Sequence, residues 1–190
     1  TVFNDITTFK NKYGGDFLKF DAEEKKKSLL YGEMVKASKK MTNILFNIMI
    51  SKGPTIVYSN YVLGEGLQLF KVYLNTVGFY NYMDKMQLVP DKVGYVEFHG
   101  GIELQNRFNG MKQYNVPENK YGDLIKIMLI SPAGAEGLNL SNVRQVHIME
   151  PYWNEVRITQ MIGRGIRQCS HSSLPIEERH VDVYRYKSVR

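Results

Sequence analysis

Apolar residues recur at helical spacing between Ser38 and the Gly53-Pro54 pair. Ser38 is a favourable N-cap residue, and a glycine followed by a proline ends a helix. The positions i, i+3, i+4, i+7 and i+8 of one helix face are apolar here. That face consists of Met41, Ile44, Leu45, Ile48 and Met49. The pattern predicts a helix that faces a hydrophobic core.

Short apolar runs alternate with helical patterns along the rest of the chain. The runs predict strands over 55–59, 93–98, 125–130 and 143–149, and the alternating segment 180–186 predicts a last strand at or near a sheet edge. Further helices are predicted over 64–77 and 102–109, whereas 78–92 and 110–122 are predicted to be surface connections, the second of them mobile. Strand–helix alternation indicates an α/β fold with a mostly parallel central sheet.

The first 37 residues carry no motif that we can assign. We therefore divide the chain into an N-terminal connecting or helical segment, residues 1–37, and a domain over 38–190. Glu23 and Glu24 precede a lysine triplet, Lys25 to Lys27, in the order that a helix dipole favours. The triplet could contact phosphate, but we expect it to form a solvated face.

Composition narrows the class of protein. The 190 residues suit one α/β domain, and 43% hydrophobic with 23% charged residues is typical of a soluble globular chain. We find no long apolar run and no signal peptide, so we expect no membrane association. The single cysteine, Cys169, excludes an internal disulfide and indicates a reducing intracellular compartment. The net charge of +6 is compatible with a polyanionic partner.

Candidate chemistry lies in two segments near the C-terminus. The strand 125–130 leads directly into a loop of small residues with two glycines, Gly134 and Gly137. Further on, Gln160, Arg164 and Arg167 stand at i, i+4 and i+7, which would place them on one helix face. Fixed guanidinium charges suit a phosphoryl group in transfer. The alternative is an amphipathic helix with solvated arginines.

These two segments resemble motifs V and VI of superfamily 2 helicases. Residues 131–140 are similar to motif V, and 160–167 have the motif VI pattern Q-x-x-G-R-x-x-R. Residues 146–154 and 168–171 narrow the resemblance to helicase-like NTPases of large cytoplasmic DNA viruses, namely poxviruses, African swine fever virus and giant viruses. Within that group, the early transcription factor small subunit and nucleoside triphosphate phosphohydrolase I look most similar. The resemblance implies a RecA-like three-layer fold.

The resemblance also implies roles for individual residues around ATP. In this family the second RecA-like domain closes over ATP that is held by the first. Arg167 would be the arginine finger, Arg164 a second contact to the γ-phosphate, and Gln160 would orient the site. The remaining residues that the resemblance places near the nucleotide are Gly137, Glu136, Asn139 and Gly163.

Residues 54–60 resemble motif IV of the same family. His99 and Gly100, which follow the predicted strand 93–98, resemble the His-Gly turn that the family has at this place. The resemblance assigns nucleic-acid contacts to Ser59, Asn60, His99, Gly100, Ser131 and Ala133. Ser59 and Asn60 could instead simply close a turn. His99 could be a ligand or a proton carrier, but we expect no carboxylate and no second histidine beside it. We therefore predict no metal site.

The P-loop pattern G-x-x-x-x-G-K-[ST] and an acidic run of the D-E-x-H type do not occur in this sequence. By resemblance, ATP and Mg²⁺ are therefore held mainly by the absent first RecA-like domain of the same protein. We expect the isolated chain to be inactive as an ATPase.

The resemblance implies the second motor domain of an ATP-dependent helicase or translocase in viral early transcription, with DNA favoured over RNA as its partner. Two alternatives stay open: an RNA or RNA–DNA helicase in transcript release, and a non-catalytic RecA-like module that binds viral RNA polymerase. A dinucleotide-binding domain is disfavoured because G-x-G-x-x-G does not follow the first strand. The implied location is the virion and the viral factory in the host cytoplasm.

Overall fold

A computed structural model describes residues 11–12, 17–19, 22–134, 137–150, 155–165 and 170–187. The helices within these ranges are α1 (Ala22–Lys27), α2 (Leu29–Ala37), α3 (Lys39–Ile50), α4 (Leu67–Thr76), α5 (Leu104–Tyr114) and α6 (Glu155–Gly165). The strands are β1 (Thr55–Tyr58), β2 (Tyr80–Asn81), β3 (Gly94–Phe98), β4 (Ile125–Ile130), β5 (Gln145–Ile148) and β6 (Asp182–Arg185). None of the described helices is long and apolar enough to cross a membrane.

The described strands form one six-stranded sheet in the order β2-β3-β4-β1-β5-β6. Every neighbouring pair is parallel. The predicted α/β fold with a mostly parallel sheet is therefore confirmed, and β6 lies at a sheet edge as its alternating pattern indicated. Parallel pairing also brings the carboxyl ends of all strands to one edge, where ligands bind in open α/β sheets.

Hydrophobic side chains cover both faces of the sheet. On one face, Val57 of β1 and Leu129 of β4 pack with α2, α3 and α4. On the other, Ile56 and Ile130 pack with residues of α5 and α6, including Tyr114 and Ile158. Successive strand residues alternate between the two clusters because their side chains point to opposite faces. The result is three layers, with helices on either side of a sheet whose central strands are buried.

The helix predicted after Ser38 is present as α3. Ser38 Oγ accepts a hydrogen bond from the Met41 N–H at 3.2 Å, which caps the helix at its first turn. Met41, Ile44 and Leu45 are buried in the first cluster. The apolar spacing was sufficient to predict this element because the tertiary contacts use the same face.

Two predicted connections are wrong. Residues 78–92 contain the edge strand β2 and a 3₁₀ turn at Tyr82–Asp84, and Tyr82 is buried. A strand of two residues is too short to produce an alternating pattern. Residues 110–122 were expected to be mobile, but α5 continues to Tyr114, whose buried hydroxyl donates to the Thr55 carbonyl at 3.0 Å.

Asn119 explains why the polar segment after α5 is ordered. It is 1% exposed. Its Nδ2 donates to the carbonyls of Tyr114 and Ile125, at 2.8 and 2.9 Å. Its Oδ1 accepts from the N–H groups of Leu124 and Ile125, at 3.0 and 2.9 Å. One amide thus satisfies four backbone groups at the entry to β4, and sequence polarity gave no sign of it.

The N-terminal helices contribute to the core. Leu30 and Met34 of α2 belong to the first hydrophobic cluster. Lys26 and Lys27 are exposed as expected, but Lys25 is 5% exposed, so the prediction of a solvated lysine run is wrong for this residue. A domain boundary between residues 37 and 38 stays a prediction.

A neutral histidine joins the edge strand to the sheet. His147 of β5 is buried, and its Nδ1 lies 2.8 Å from the Tyr186 hydroxyl, while its Nε2 lies 2.9 Å from Gln145 Oε1. Its ring stacks on Tyr184 of β6 with centroids 4.9 Å apart. Burial lowers the pKa of His147 to about 3, so the ring is uncharged at neutral pH.

We expect Asn119→Ala to destabilise the fold by about 2–4 kcal/mol, because it leaves several buried backbone groups without partners. Asn109→Ala is the matched control, since Asn109 is an exposed asparagine on α5. The control should change stability by less than about 0.5 kcal/mol. Chemical denaturation measures both free energies of unfolding. Equal stability of the two variants would show that the Asn119 bonds do not order this segment.

Candidate functional site

The carboxyl edge of the sheet brings together segments that are distant in sequence. The Ser59 N–H donates to the Ile130 carbonyl at 3.1 Å, which places the end of β1 beside the end of β4. A Cβ atom on Gly100 would lie 3.5 Å from the Cβ of Ala133, which places the turn after β3 beside the loop after β4. The residues predicted to contact nucleic acid therefore share one edge.

Ser59 and Asn60 form a turn that is fixed by a carboxylate. Ser59 is 0% exposed, and its Oγ lies 2.9 and 3.1 Å from the two carboxylate oxygens of Glu150. The Asn60 N–H donates to Glu150 Oε2 at 3.1 Å, and the Tyr61 N–H donates to Ser59 Oγ at 3.1 Å. The structure shows that Ser59 and Asn60 close a turn, and their contact with nucleic acid stays a prediction. Half-buried Asn60 keeps part of its surface at the edge.

Glu150 was not predicted from the sequence. It follows β5, and its partners Ser59 and Asn60 follow β1, so the contact exists only because β1 and β5 are neighbours in the sheet. Its carboxylate accepts from a hydroxyl and from a backbone N–H, which offsets the cost of removing it from water. The two strand ends are thereby joined at the candidate site.

A second carboxylate, Glu97, lies beneath the turn after β3. It is 4% exposed. Its Oε1 accepts from Lys71 Nζ at 2.9 Å and from Asn81 Nδ2 at 2.8 Å, and its Oε2 lies 2.9 Å from His99 Nε2. Burial acts to raise the pKa of Glu97, but the hydrogen bonds from His99, Lys71 and Asn81 outweigh it and lower the pKa to about 2. Glu97 is therefore ionised at neutral pH.

The expectation that His99 has no carboxylate beside it is wrong. Glu97 stands two residues earlier, in β3, and His99 follows that strand directly, so the alternation of an extended chain places the two side chains on the same side. His99 Nδ1 accepts the Gly101 N–H at 3.1 Å. Nε2 must then carry the proton that is donated to Glu97. The ring of His99 is buried, so the groups that the turn exposes belong to its glycines.

The loop after β4 has both buried and exposed positions. Ser131 is buried and Ala133 is exposed at the start of the 3₁₀ turn Pro132–Gly134. Gly137 is exposed with φ +86°, a conformation that favours glycine, and a Cβ there would have nothing within 4 Å. Asn139 is exposed, and its carbonyl accepts from Asn115 Nδ2 at 2.7 Å. Glu136 lies outside the described residues.

Helix α6 has one buried and one exposed side among its described side chains. Ile158 is buried in the second cluster and Ile162 packs against it, whereas Gln160 and Gly163 are exposed. This orientation agrees with the face proposed from the spacing. Arg167 lies outside the described residues, and of Arg164 only the position within α6 is described. Their roles stay predictions. Among the described residues, no cluster of three or more His, Cys, Asp or Glu side chains could hold a metal ion.

The chain is similar in sequence to known proteins. Residues 36–169 match the family described as helicase conserved C-terminal domain. The whole chain is 42% identical to part of a protein of Acanthamoeba polyphaga mimivirus that is named as an ATP-dependent RNA helicase, and it covers 23% of that protein. It is 34% identical to nucleoside triphosphatase I of Melanoplus sanguinipes entomopoxvirus, with 72% of the chain and 19% of that protein covered. The chain thus spans about a quarter or less of these relatives.

The fold has solved counterparts. The C-terminal part of the Fun30 ATPase domain superposes with a TM-score of 0.55 at 14% sequence identity, over 76% of this chain and 40% of that one. At this level of identity the likeness concerns the fold. It agrees with the RecA-like architecture that the sequence motifs implied.

We expect Glu150→Ala to loosen the turn at Ser59 and Asn60, because the Asn60 N–H loses its charged acceptor. Hydrogen exchange of the Asn60 amide should accelerate about 10- to 100-fold, as the loss of a hydrogen bond to a charged group predicts. Glu65→Ala is the control, since Glu65 is exposed in the segment between β1 and α4. Unchanged hydrogen exchange of the Asn60 amide in Glu150→Ala would show that Glu150 does not hold this turn in place.

Proposed function

The chain belongs to the helicase conserved C-terminal domain family, and from that premise we propose that it is the second motor domain of an ATP-dependent superfamily 2 helicase or translocase. The observation that carries the proposal is the placement of its two motifs. Residues 131–140 follow β4 at the carboxyl edge, and α6 presents Gln160 and Gly163 to solvent. The relatives support the resemblance to helicases and NTPases of large DNA viruses.

In the proposed mechanism, this domain supplies positive charge to ATP bound elsewhere. The first RecA-like domain of the same protein would hold the β- and γ-phosphates and Mg²⁺, because this sequence has no P-loop. Arg167 is the proposed arginine finger, with Arg164 as a second γ-phosphate contact. Such a group stabilises the charge that spreads over the equatorial oxygens in the transition state. Gln160 would orient the nucleotide from the exposed face of α6.

Glycines support the approach of a nucleotide to this surface. Gly137 and Gly163 are exposed, and a Cβ on either would meet nothing within 4 Å. Backbone therefore lies open to solvent in both motifs. Asn139 is exposed nearby in sequence, and Glu136 is assigned to the same site by resemblance.

The other part of the carboxyl edge is the proposed track for nucleic acid. Gly100 and Ala133 are exposed there, Asn60 is half-buried, and the net charge of +6 favours a phosphodiester partner. Buried Ser59, His99 and Ser131 would act by shaping the backbone of these turns. Contacts of this kind are independent of base sequence and weaken as salt increases. Cleft opening and closing with each ATP would move the two domains along the strand.

We propose DNA as the track and viral early transcription as the process, in the virion and the cytoplasmic viral factory. The second candidate is an RNA or RNA–DNA helicase, and it is favoured by the name of the mimivirus relative, an ATP-dependent RNA helicase. The ATPase rate of the full-length protein, measured separately with double-stranded DNA, single-stranded DNA and RNA, distinguishes them. No stimulation by any of the three would favour a non-catalytic module that binds viral RNA polymerase.

We expect Arg167→Ala to lower the ATPase rate of the full-length protein by about 10³- to 10⁵-fold, because the finger acts on the transition state. ATP affinity should barely change. Arg185→Ala serves as the control, since Arg185 is exposed on the edge strand β6 and should be dispensable. Steady-state turnover and equilibrium nucleotide binding are the measurements. A variant that retains most of its turnover would remove Arg167 from this role.

We also expect the 190-residue chain alone to show no ATP turnover above the uncatalysed background. The physical reason is that the phosphate cradle and the Mg²⁺ ligands are proposed to lie on the other motor domain. A phosphate-release assay with and without nucleic acid measures this. Robust, nucleic-acid-stimulated ATP turnover by the chain alone would contradict the proposal that the other motor domain holds ATP and Mg²⁺.

A further inference from the structure

We propose that Glu97 is a positioning residue that fixes the tautomer of His99 and so holds the turn at Gly100 and Gly101 in the shape that binds a nucleic-acid backbone. This inference rests on the proposed function of the carboxyl edge. It assigns a role to a residue outside the helicase motifs that the sequence resemblance identified.

Glu97 receives donors from three directions. Lys71 of α4 and Asn81 of β2 both bond to Oε1, at 2.9 and 2.8 Å. His99 Nε2 lies 2.9 Å from Oε2. A carboxylate can accept all of these because both of its oxygens have lone pairs and neither has a proton. Lys71 and Asn81 occupy one oxygen, so the other is directed at the imidazole ring.

The ring transmits this constraint to the turn. With Nε2 donating to Glu97, Nδ1 is unprotonated and accepts the Gly101 N–H at 3.1 Å. The alternative tautomer would put a proton on Nδ1, opposite the Gly101 N–H, and two donors would face each other. The charge on Glu97 therefore selects the only tautomer that is compatible with this turn.

The turn lies where the proposed track runs. Gly100 is exposed, and a Cβ on it would be 3.5 Å from the Cβ of exposed Ala133. The shape of the Gly100 turn thus sets how its backbone and that of the β4 loop are presented together. His99 itself is buried. Glu97 would thus affect nucleic-acid binding by orienting His99, and His99 would affect it by holding the backbone at Gly101.

Glu97→Gln tests this because a glutamine cannot replace a carboxylate at this position. Its amide has one acceptor oxygen and one donor nitrogen. If the oxygen faces Lys71 and Asn81, the nitrogen faces His99 and favours the other tautomer. We expect the full-length protein carrying Glu97→Gln to bind a fluorescent single-stranded oligonucleotide about tenfold more weakly, measured by anisotropy at low salt. ATP affinity should be unchanged.

Whether Glu97→Gln weakens or strengthens oligonucleotide binding distinguishes a positioning role of Glu97 from a simple effect of its charge. Removing a negative charge raises the net charge above +6, which by itself would strengthen binding to a polyanion. Glu103→Gln is the matched control. It removes the same charge just before α5, where Glu103 is exposed and makes no side-chain capping bond. The control should bind as tightly as the wild type or slightly more tightly. Equal or tighter binding by Glu97→Gln would overturn the proposal.

A spectroscopic measurement reports the tautomer directly. In protein labelled with ¹⁵N-histidine, the wild-type His99 ring should show a protonated Nε2 and an unprotonated Nδ1. In Glu97→Gln the Nδ1 resonance should shift toward the protonated range. A purely structural effect of Glu97 on stability would leave the tautomer unchanged, and that result would contradict the proposal.

Two substitutions of His99 keep the test valid even if Glu97→Gln does not fold. An asparagine places its amide oxygen near the position of Nδ1, where it can accept the Gly101 N–H, whereas a glutamine reaches toward Glu97 instead. We expect His99→Gln to bind the oligonucleotide more weakly than His99→Asn, because only the asparagine can accept the Gly101 N–H. Adding His99→Asn to Glu97→Gln should restore binding. Failure of that rescue would overturn the proposal, whereas a wild type that binds no nucleic acid would instead overturn the proposed function.

Discussion

The position of β1 between β4 and β5 is the constraint on which the rest of the structure depends. Val57 pairs with Leu129 on one side and with His147 on the other. Both faces of β1 are covered by hydrophobic side chains, so a slip of one residue would exchange the two clusters and is strongly disfavoured. With this register fixed, the segments that follow the central strands must meet at one edge. The candidate site exists because of that geometry.

The edge is then shaped by two carboxylates that hold backbone turns. Glu150 joins the turn after β1 to the end of β5, and Glu97 supports the turn after β3 through His99. Removing a carboxylate from water is costly unless several donors surround it, and both buried Glu97 and half-buried Glu150 have such donors. Because a carboxylate accepts from more groups than an amide can, one side chain fixes several donors at once. Both turns are thereby ordered before any ligand arrives.

Sequence analysis predicted the elements whose pattern and tertiary contacts agree. The Ser38 cap and α3 were predicted because local spacing specifies the buried face of that helix, and the strand 125–130 was predicted because its unbroken apolar run suits burial on both faces. β2 and the Asn119 bonds were missed, since they depend on neighbours that only the folded chain supplies. Sheet order is likewise invisible from one sequence, so the bond between Ser59 and Glu150, 91 residues apart, could not be predicted.

The contact between Glu97 and His99 is a different case, because the sequence contained the signal. Glu97 near the end of an otherwise apolar strand and His99 directly after it are two residues apart, so an extended chain places them on the same side. The helicase resemblance assigned a role to the turn at His99 and Gly100 but none to Glu97, which lies beneath that turn.

An exposed carboxylate would repel a bound phosphate, and burial keeps the Glu97 carboxylate beneath the turn after β3. The negative charge of Glu97 is enclosed by Lys71, Asn81 and His99, while Gly100 and Ala133 face solvent. The charge that orders the turn is therefore shielded from the polyanion that the turn would bind. A neutral side chain could avoid the repulsion but could not accept from all three donors. Burying the charge under a glycine turn lets an acidic residue order the turn without facing a phosphate that the turn would bind.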